Sequence, residues 1–484
     1  MLRSGHVVAT LAWSALAVAG DSGCAIPEEL VTQGVSASLI ARADEAATPV
    51  CSTGPIRCLA HAVSAAGTGR LVADATSPSG YGPADIQDAY RIDPAMGGTP
   101  TVAIVIAYGY TALASDLAVY RAQYGLPACT TATGCLRIVN QQGQAAPLPP
   151  NPPPSDDWTI ETALDVDAVS AACPRCRLLV VQATDSNSDS MYLAEDAAAA
   201  LGPAVISNSW GGPEDTTVAA GEAHFDHPGI AIFGAAGDDG YNDQLSTTGA
   251  GPDYPGTSAH VISVGATRLV RSATARGWSE AAWAVNAMGT SAGGSACSGK
   301  IAKPSYQTDS PCAFKASADV SAVGDPATGL AVYNAANAGW LTVGGTSAAS
   351  PLVAAMFAMT GHGGETSGEF VARNAAMFND VVQGSNGTCS AGRLCNAGAG
   401  WDGPTGYGTP NAAALLGATG GGGGGGGCAA GGGGAGGLAG LALGLALTVR
   451  RRRSCSARSS GAVRGRAPAA HRVRRQLTPP PAMK

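Results

Sequence analysis

The chain has 484 residues, of which 45% are hydrophobic and only 13% are charged, so it is long and apolar enough to bury a large core. Of its 28 basic residues, 11 lie in the tail from Arg450 to Lys484, which has no acidic residue. The rest of the chain therefore carries 17 basic against 35 acidic residues. An acidic body of this kind argues against nucleic-acid binding.

The first twenty residues predict an export signal. Arg3 is the positive start, Val7–Val18 is the apolar stretch, and Ala17-Val18-Ala19 is a small-residue cleavage site. A lipoprotein signal at Cys24 is the weaker alternative, because the residues before it, Asp21-Ser22-Gly23, lack the usual aliphatic side chain.

Apolar runs and helical periods alternate through the middle of the chain. We expect strands at Val102–Ala107, Leu178–Gln182, Ala204–Ser207, Ile230–Phe233 and Val261–Val264. We expect helices at Ala112–Tyr124, Thr159–Ala172, Met191–Leu201 and Ser347–Thr360. This alternation predicts an α/β fold built on a parallel sheet.

The helix predicted at Thr159–Ala172 carries two carboxylates, Glu161 and Asp165. Spacing of four residues puts both on one face of the helix. Two like charges at that distance repel, so that one tends to hold a proton. The pair fits a base and its orienting partner for a serine nucleophile, with Glu161 as the base. A solvated acidic helix face is the alternative.

Two turns offer partners for that pair. The strand at Ile230–Phe233 ends in a Gly-Asp turn that contains Asp238. Gly345-Thr346-Ser347 opens an apolar helix, so that Ser347 would lie beside unpaired backbone N–H groups, where negative charge is favoured. That suits a nucleophile that generates an oxyanion, although a capped helix start without chemistry has the same pattern.

Histidine is a poor candidate for the base. The chain has 7 histidines, and none lies in an obvious nucleophile-partner motif. Each is better explained as a surface or core residue. A subtilisin-like Ser-His-Asp protease is therefore the weaker enzyme alternative.

Taken together, these residues resemble the sedolisin family, the serine-carboxyl peptidases, over roughly Tyr81 to Leu416. The motifs that carry the resemblance are Pro83–Tyr90, Glu161 with Asp165, Ser207–Gly212, the turn at Asp238, Asp325–Gly329 and Gly345–Ser347. The resemblance implies a subtilisin-like fold, with a parallel sheet and helices on both faces. It implies Ser347 as nucleophile, Glu161 as base, Asp165 as its partner and Asp238 as the acid that stabilises the oxyanion. Subtilisins have asparagine at this last position, and an aspartate donates a hydrogen bond only when protonated, which favours acidic conditions.

The chain departs from the family pattern in two places. Family members commonly have an acidic residue near the end of the first strand, whereas Thr101–Tyr110 has none. Asp167 is a candidate substitute. Sedolisins also carry a large folded prodomain, and only about 80 residues precede the resembling region here. Either folding is unassisted, or Ile26–Gly80 acts as a reduced pro-region.

The resemblance also implies one calcium ion near the C-terminal end of the peptidase region. The matching positions are the carboxylates of Asp380 and Asp402 and the backbone carbonyls of Val381, Gly398 and Gly400. Ca²⁺ takes six to eight oxygen ligands, and glycine lets carbonyls turn inward. A Gly-rich turn with acidic caps is the alternative.

Ten of the 13 cysteines form close pairs in the sequence, which predicts disulfides in an oxidising compartment. The pairs are Cys51/Cys58, Cys129/Cys135, Cys173/Cys176, Cys297/Cys312 and Cys389/Cys395, with Cys24, Cys428 and Cys455 left over. A redox or metal role for the Cys173-Pro-Arg-Cys176 motif is the weaker alternative for that pair.

The C-terminal region predicts surface attachment. A glycine run at Gly420–Gly427 is typical of a flexible linker, and the weakly apolar Ala429–Val449 is long enough to span a membrane before the cluster Arg450–Arg453. The pattern resembles myxobacterial surface-sorting signals, which implies processing near Cys428. A low-complexity tail is the alternative.

These observations divide the chain into a signal peptide (1–20), a short N-terminal segment or reduced pro-region (21–80), a peptidase domain (81–416), a linker (417–427), a membrane span with its arginine cluster (428–453) and a disordered basic tail (454–484). We expect an exported, calcium-binding, monomeric serine endopeptidase that cleaves polypeptides at acidic pH and is secreted or attached to the cell surface. The alternative from another class is a non-catalytic surface protein that keeps the fold for binding.

Overall fold

The computed structural model describes residues 46–420, apart from 52–55, 66–67, 155, 247–250 and 287–288. The strands are, in chain order, β1 (Ala46–Pro49), β2 (Arg57–Cys58), β3 (His61–Ser64), β4 (Thr101–Ala107), β5 (Leu136–Asn140), β6 (Arg177–Ala183), β7 (Val205–Asn208), β8 (Trp210–Pro213), β9 (Ala231–Ala235), β10 (Asp239–Tyr241), β11 (Asp253–Tyr254), β12 (Ile262–Arg271), β13 (Trp278–Ala282), β14 (Ala292–Ala302), β15 (Phe314–Ser317), β16 (Val320–Val323), β17 (Leu330–Asn334), β18 (Gly339–Gly344), β19 (Phe378–Asn379) and β20 (Thr409–Pro410). The α-helices are α1 (Pro83–Ala89), α2 (Leu113–Gln123), α3 (Trp158–Ala172), α4 (Ser188–Ala200), α5 (Val218–Gly221), α6 (Thr346–Thr360), α7 (Glu369–Arg373) and α8 (Ala412–Gly420).

A twisted central sheet has the order β5-β6-β4-β7-β9-β12, and every pair along this path is parallel. Strand β16 runs parallel to β12, and the edge strand β13 runs antiparallel to it. The predicted α/β fold with a parallel sheet is confirmed. The five predicted strands all lie in this sheet, although β12 extends well beyond the predicted Val261–Val264.

Helices cover both faces of the sheet, which explains why its strands are continuous apolar runs. Residues 102–107 of β4 are at most 1% exposed. Helices α3 and α6 pack on each other and against β4 from one side, while α4 packs mainly on β4 and β6. The sandwiched centre of the sheet is therefore the core that positions the loops at its carboxyl edge.

A second, smaller sheet brings the N-terminal segment next to the peptidase region. Strands β1 and β3 form an antiparallel hairpin, and β3 continues the sheet by pairing with β18, which leads into α6. Strand β2, which lies between β1 and β3 in the chain, pairs with β8. The sequence did not predict these strands, because they are short and their partners lie far away in the chain.

All five predicted disulfides are formed, so Cys173 and Cys176 are bonded to each other rather than free for redox or metal chemistry. The signal peptide, Cys24, Cys428, Cys455 and the span at Ala429–Val449 lie outside the described residues. Within residues 46–420, no helix is both long and apolar enough to cross a bilayer.

Candidate active site

Ser347 lies in the first turn of α6, directly after the sheet strand β18. Gly345 makes the corner between the two elements with a φ of +109°, a conformation that favours glycine. The Ser347 side chain is fully buried, and its hydroxyl donates to the Ser209 carbonyl oxygen at 2.9 Å. Pro351 has no N–H to offer the Ser347 carbonyl, and the Ser209 hydroxyl lies 3.3 Å from that oxygen instead.

Glu161 and Asp165 lie on one face of α3, as the spacing predicts, and both are 0% exposed. The Ser209 hydroxyl donates to Asp165 Oδ1 at 2.6 Å. Neither oxygen of Glu161 accepts a hydrogen bond of normal geometry from the described part of the chain. The carboxyl group is nevertheless close enough to Ser347, Asp165 and Asp238 for all three to influence its protonation.

Burial dominates the protonation of this pair. It raises the pKa of Glu161 well above its usual value, the charge of Asp165 raises it further, and the Ser347 hydroxyl opposes the shift. Burial also raises the pKa of Asp165, against the hydrogen bond from Ser209 and the contact with Glu161. Both carboxyl groups therefore hold protons at a pH at which exposed carboxylates are ionised.

Asp167 does not join this network. It is two residues from Asp165 on the same helix, so its side chain leaves on another face. Its Oδ2 accepts the Tyr333 N–H at 3.1 Å. Asp167 is thus no substitute for the acidic residue that sedolisins commonly carry near the end of the strand that is β4 here. The position beside Asp165 is taken by the Ser209 hydroxyl.

Asp238 lies in the turn after β9, at the carboxyl edge of the sheet where parallel sheets place their sites. Its Oδ1 accepts two hydrogen bonds from Thr346, one from the backbone N–H and one from the hydroxyl, both at 2.8 Å. Its Oδ2 faces the space beside Gly345. The structure thus brings together Ser347, Glu161, Asp165 and Asp238, although their roles stay predictions.

The chain's own backbone runs through this site. The Leu59 carbonyl oxygen accepts the Ser347 N–H at 2.9 Å, and the Leu59 N–H donates to the Ser209 carbonyl oxygen at 3.2 Å. A Cβ on Gly345 would lie 2.1 Å from the Leu59 carbonyl oxygen and 2.7 Å from Asp238 Oδ2, so these two oxygens converge on one point. The Leu59 carbonyl oxygen is thus held between the Ser347 N–H and the Asp238 carboxyl group.

His61 is the residue near this site that sequence reasoning missed. It is 5% exposed, and its Nδ1 lies 3.0 Å from Asp238 Oδ2. It reaches the site through the pairing of β3 with β18, a long-range contact that no local motif reveals. His61 is thus within hydrogen-bonding distance of Asp238, and it has no described contact with the Ser347 hydroxyl.

The positions predicted to bind calcium form one loop around Asp402. Gly398 N–H donates to Asp402 Oδ2 at 2.9 Å, and Gly400 N–H donates to Asp380 Oδ2 at 3.0 Å. Burial raises the pKa of Asp402 to about 7, and the charge of Asp380 adds to the shift. No group of three or more His, Cys, Asp or Glu side chains suited to a metal occurs among residues 46–420.

Comparison with known proteins finds a matching family and similar chains. The Subtilase family model matches residues 155–368. Kumamolisin from Bacillus sp. (strain MN-32) is 31% identical over 366 residues, which are 70% of this chain and 64% of kumamolisin. These comparisons support the predicted resemblance to the sedolisin family. The chain thus spans just under two thirds of the length of kumamolisin.

A solved structure of Pseudomonas sedolisin, a serine-carboxyl proteinase complexed with two molecules of pseudo-iodotyrostatin, superposes with a TM-score of 0.59 and 25% identity. The superposition covers 71% of this chain and 98% of that sedolisin. The subtilisin-like fold is therefore shared along nearly the whole of that sedolisin chain.

Proposed function

We propose that this sedolisin-like chain is an exported serine-carboxyl endopeptidase that forms an acyl-enzyme on Ser347 and works at acidic pH. The observation that carries the proposal is the Leu59 carbonyl oxygen, which accepts the Ser347 N–H. It lies in a buried site that also contains the carboxyl groups of Glu161, Asp165 and Asp238. Polypeptides are the substrates that such an arrangement accommodates, because the residues around Leu59 bind by backbone strand pairing.

In this mechanism the Ser347 hydroxyl turns from the Ser209 carbonyl, attacks the peptide carbonyl and gives its proton to Glu161. Asp165 stays protonated and orients Glu161. The Ser347 N–H and protonated Asp238 stabilise the oxyanion, and Glu161 then returns the proton to the departing amine. Water hydrolyses the acyl-enzyme by the same steps in reverse.

The N-terminal segment acts as the reduced pro-region in this proposal. While Leu59 occupies the oxyanion site and His61 holds Asp238 Oδ2, a second peptide has no access to Ser347. Asp238, acting as the acid of the oxyanion site, then promotes attack on the bond between Leu59 and Ala60. Cleavage there would free the site.

The test is to follow the full chain at acidic pH by mass spectrometry and N-terminal sequencing. We expect a new N-terminus at Ala60 and the onset of cleavage of a denatured protein substrate. Both should be absent in Ser347→Ala, which keeps the fold because the change removes one hydroxyl. A non-catalytic surface protein would give no cleavage in either chain while remaining folded, and a neutral optimum would favour a histidine base instead.

The residues of the Asp402 loop fit a calcium ion, and we include it in the proposal. The carbonyl oxygens of Val381, Gly398 and Gly400 accept no hydrogen bond from any described residue, whereas Arg393 donates to the intervening carbonyls of Ala399 and Trp401. Unpaired oxygens beside two crowded carboxylates, Asp380 and Asp402, are the ligands that Ca²⁺ prefers. When bound, the ion would neutralise the carboxylates and hold the loop in place.

Export and monomeric action complete the proposal. Five disulfides support an extracellular location, because cytosolic thiols are kept reduced. Attachment to the cell surface through the tail after Gly427, with processing near Cys428, is tested by locating the protein in cell fractions with and without that tail.

A further inference from the structure

The N-terminal segment shows how a substrate strand meets the cleft. Leu59 supplies the carbonyl at the nucleophile, so it is the first residue on the acyl side of the bond. Cys58 and Arg57 are the second and third, and they pair antiparallel with Trp210 and Gly211 of β8. This pairing is made by backbone atoms, so any extended peptide can adopt the same register.

The third acyl-side residue extends its side chain into three carboxylates. The Arg57 Nη2 lies 2.6 Å from Asp239 Oδ2, 3.6 Å from Asp253 Oδ2 and 4.0 Å from Asp243 Oδ2. One cation is thus surrounded by three acids. The side chains of Asp239, Asp243 and Asp253 are 15%, 6% and 0% exposed, so the site is largely enclosed by protein rather than solvated.

Asp253 is the strongest indication that the site is made for a cationic ligand. Both of its carboxyl oxygens are buried without a hydrogen bond of normal geometry from the described chain, and Arg57 is its only cationic neighbour in that region. Burial raises the pKa of Asp253 to about 6 and that of Asp243 to about 9, and the Arg57 charge opposes both shifts. Removing the guanidinium leaves buried acids with nothing to compensate them.

The backbone fixes these acids relative to the substrate strand. Asp253 and Tyr254 pair with Pro213 and Gly212 on the opposite edge of β8 from Arg57, so the three strands form one small sheet in the order β11-β8-β2. Gly237 has no Cβ to fill the space beside Asp253, since such an atom would lie 2.6 Å from Asp253 Oδ2. Asp239 directly follows Asp238 of the oxyanion site.

We infer that Asp239, Asp243 and Asp253 form a substrate subsite that selects a cationic side chain, arginine above lysine, three residues before the cleaved bond. The inference rests on the proposed peptidase function. Arginine is favoured because its planar guanidinium reaches several carboxylates at once, whereas an ammonium group is a single strongly hydrated point charge. Once the N-terminal segment leaves, external substrates would fill the place of Arg57.

The experiment uses four peptides that differ only at the third acyl-side position, which holds arginine, lysine, citrulline or methionine, with leucine and alanine flanking the bond. Citrulline has the shape of arginine without its charge. The enzyme is the full chain, incubated at acidic pH until its N-terminal segment is cut, and an Arg57→Met chain is run in parallel to remove the internal competitor. The measured quantity is kcat/KM for each peptide.

We expect kcat/KM for the arginine peptide to exceed that for the citrulline peptide by about tenfold or more at the upper end of the active pH range, with lysine between them. The ratio should shrink as pH falls below about 6, the raised pKa of Asp253, because a protonated acid no longer distinguishes the two side chains by charge. In Asp253→Asn the ratio of the two values should fall toward one. The matched control Asp226→Asn, a surface acid 58% exposed beside His260, should keep the ratio of the parent chain.

Equal kcat/KM for arginine and citrulline in the parent chain would overturn the subsite and leave the peptidase intact. It would mean that Arg57 is only a structural ion pair of the N-terminal segment. A folded chain that cleaves neither its own segment nor any of the peptides would instead overturn the proposed function, and the subsite with it.

Discussion

Glu161 and Asp165 are both fully buried, and the proposed mechanism uses Glu161 as the base. Burial raises the pKa of both carboxyl groups well above their usual values. The proposed mechanism needs Glu161 ionised while Asp165 stays neutral, an arrangement that avoids two buried charges side by side.

Replacing Glu161 by glutamine should remove the proton acceptor while keeping the shape of the side chain. We expect kcat/KM to fall by about a thousandfold, within the range that general-base catalysis supplies, with little change in Tm. The matched control is Asp167→Asn on the same helix. Burial raises the pKa of Asp167 well above its usual value, and an asparagine there retains the acceptor for Tyr333 N–H, so activity should persist. Equal losses in both variants would contradict the assignment of the base.

The candidate residues could be found from the sequence because each lies in a local pattern. The i, i+4 spacing revealed the pair on α3, and a glycine before a small-residue helix start revealed Ser347. His61 and Arg57 could not be found this way, because their importance comes from strand pairing across more than 150 residues. Nothing in the local sequence of an N-terminal segment says that it lies in a cleft.

At the scale of elements, the central sheet was predictable and the small sheets were not. Strands of the central sheet are buried on both faces and appear as apolar runs, whereas β2 has two residues and β11 has two. Such short strands form only because a neighbouring edge is already in place. The site therefore depends on a predictable scaffold and on unpredictable additions at its carboxyl edge.

Helix α4 carries an acid that the mechanism does not use. Glu195 is 0% exposed, and burial, against a contact with Asn208, raises its pKa to about 8. Between its ordinary pKa and this value the folded state holds a proton that the unfolded chain releases, so its contribution to stability is lost as pH rises through that window.

Glu195→Gln should therefore make little difference to the free energy of unfolding in acid and should increase it in mild alkali, by a few kcal/mol at most. Denaturant unfolding at several pH values measures this. The control is Glu365→Gln, an acid whose side chain is 40% exposed, which should give parallel curves for variant and parent. A constant difference for Glu195→Gln at all pH values would show that its ionisation is not coupled to folding.

At the scale of the whole molecule, the proposed calcium ion would link stability to pH in a direction that can be worked out from Asp402. In the metal-free protein the pKa of Asp402 is raised to about 7, so the folded state becomes less stable as pH rises from the ordinary aspartate range toward neutrality. Calcium requires the ionised carboxylate, so its binding offsets this loss and grows stronger over the same window.

We therefore expect the rise in Tm on adding calcium to a chelator-treated chain to be larger at about pH 8 than at about pH 5. Asp402→Asn should abolish most of this rise, whereas Asp309→Asn, an exposed acid elsewhere on the surface, should leave it unchanged. A calcium effect that is equal at both pH values, or that survives in Asp402→Asn, would place the ion elsewhere. The enzyme is proposed to act in acid, where protons compete with calcium for Asp402. The same measurement therefore tells whether calcium stabilises the protein at the pH of activity or only near neutral pH.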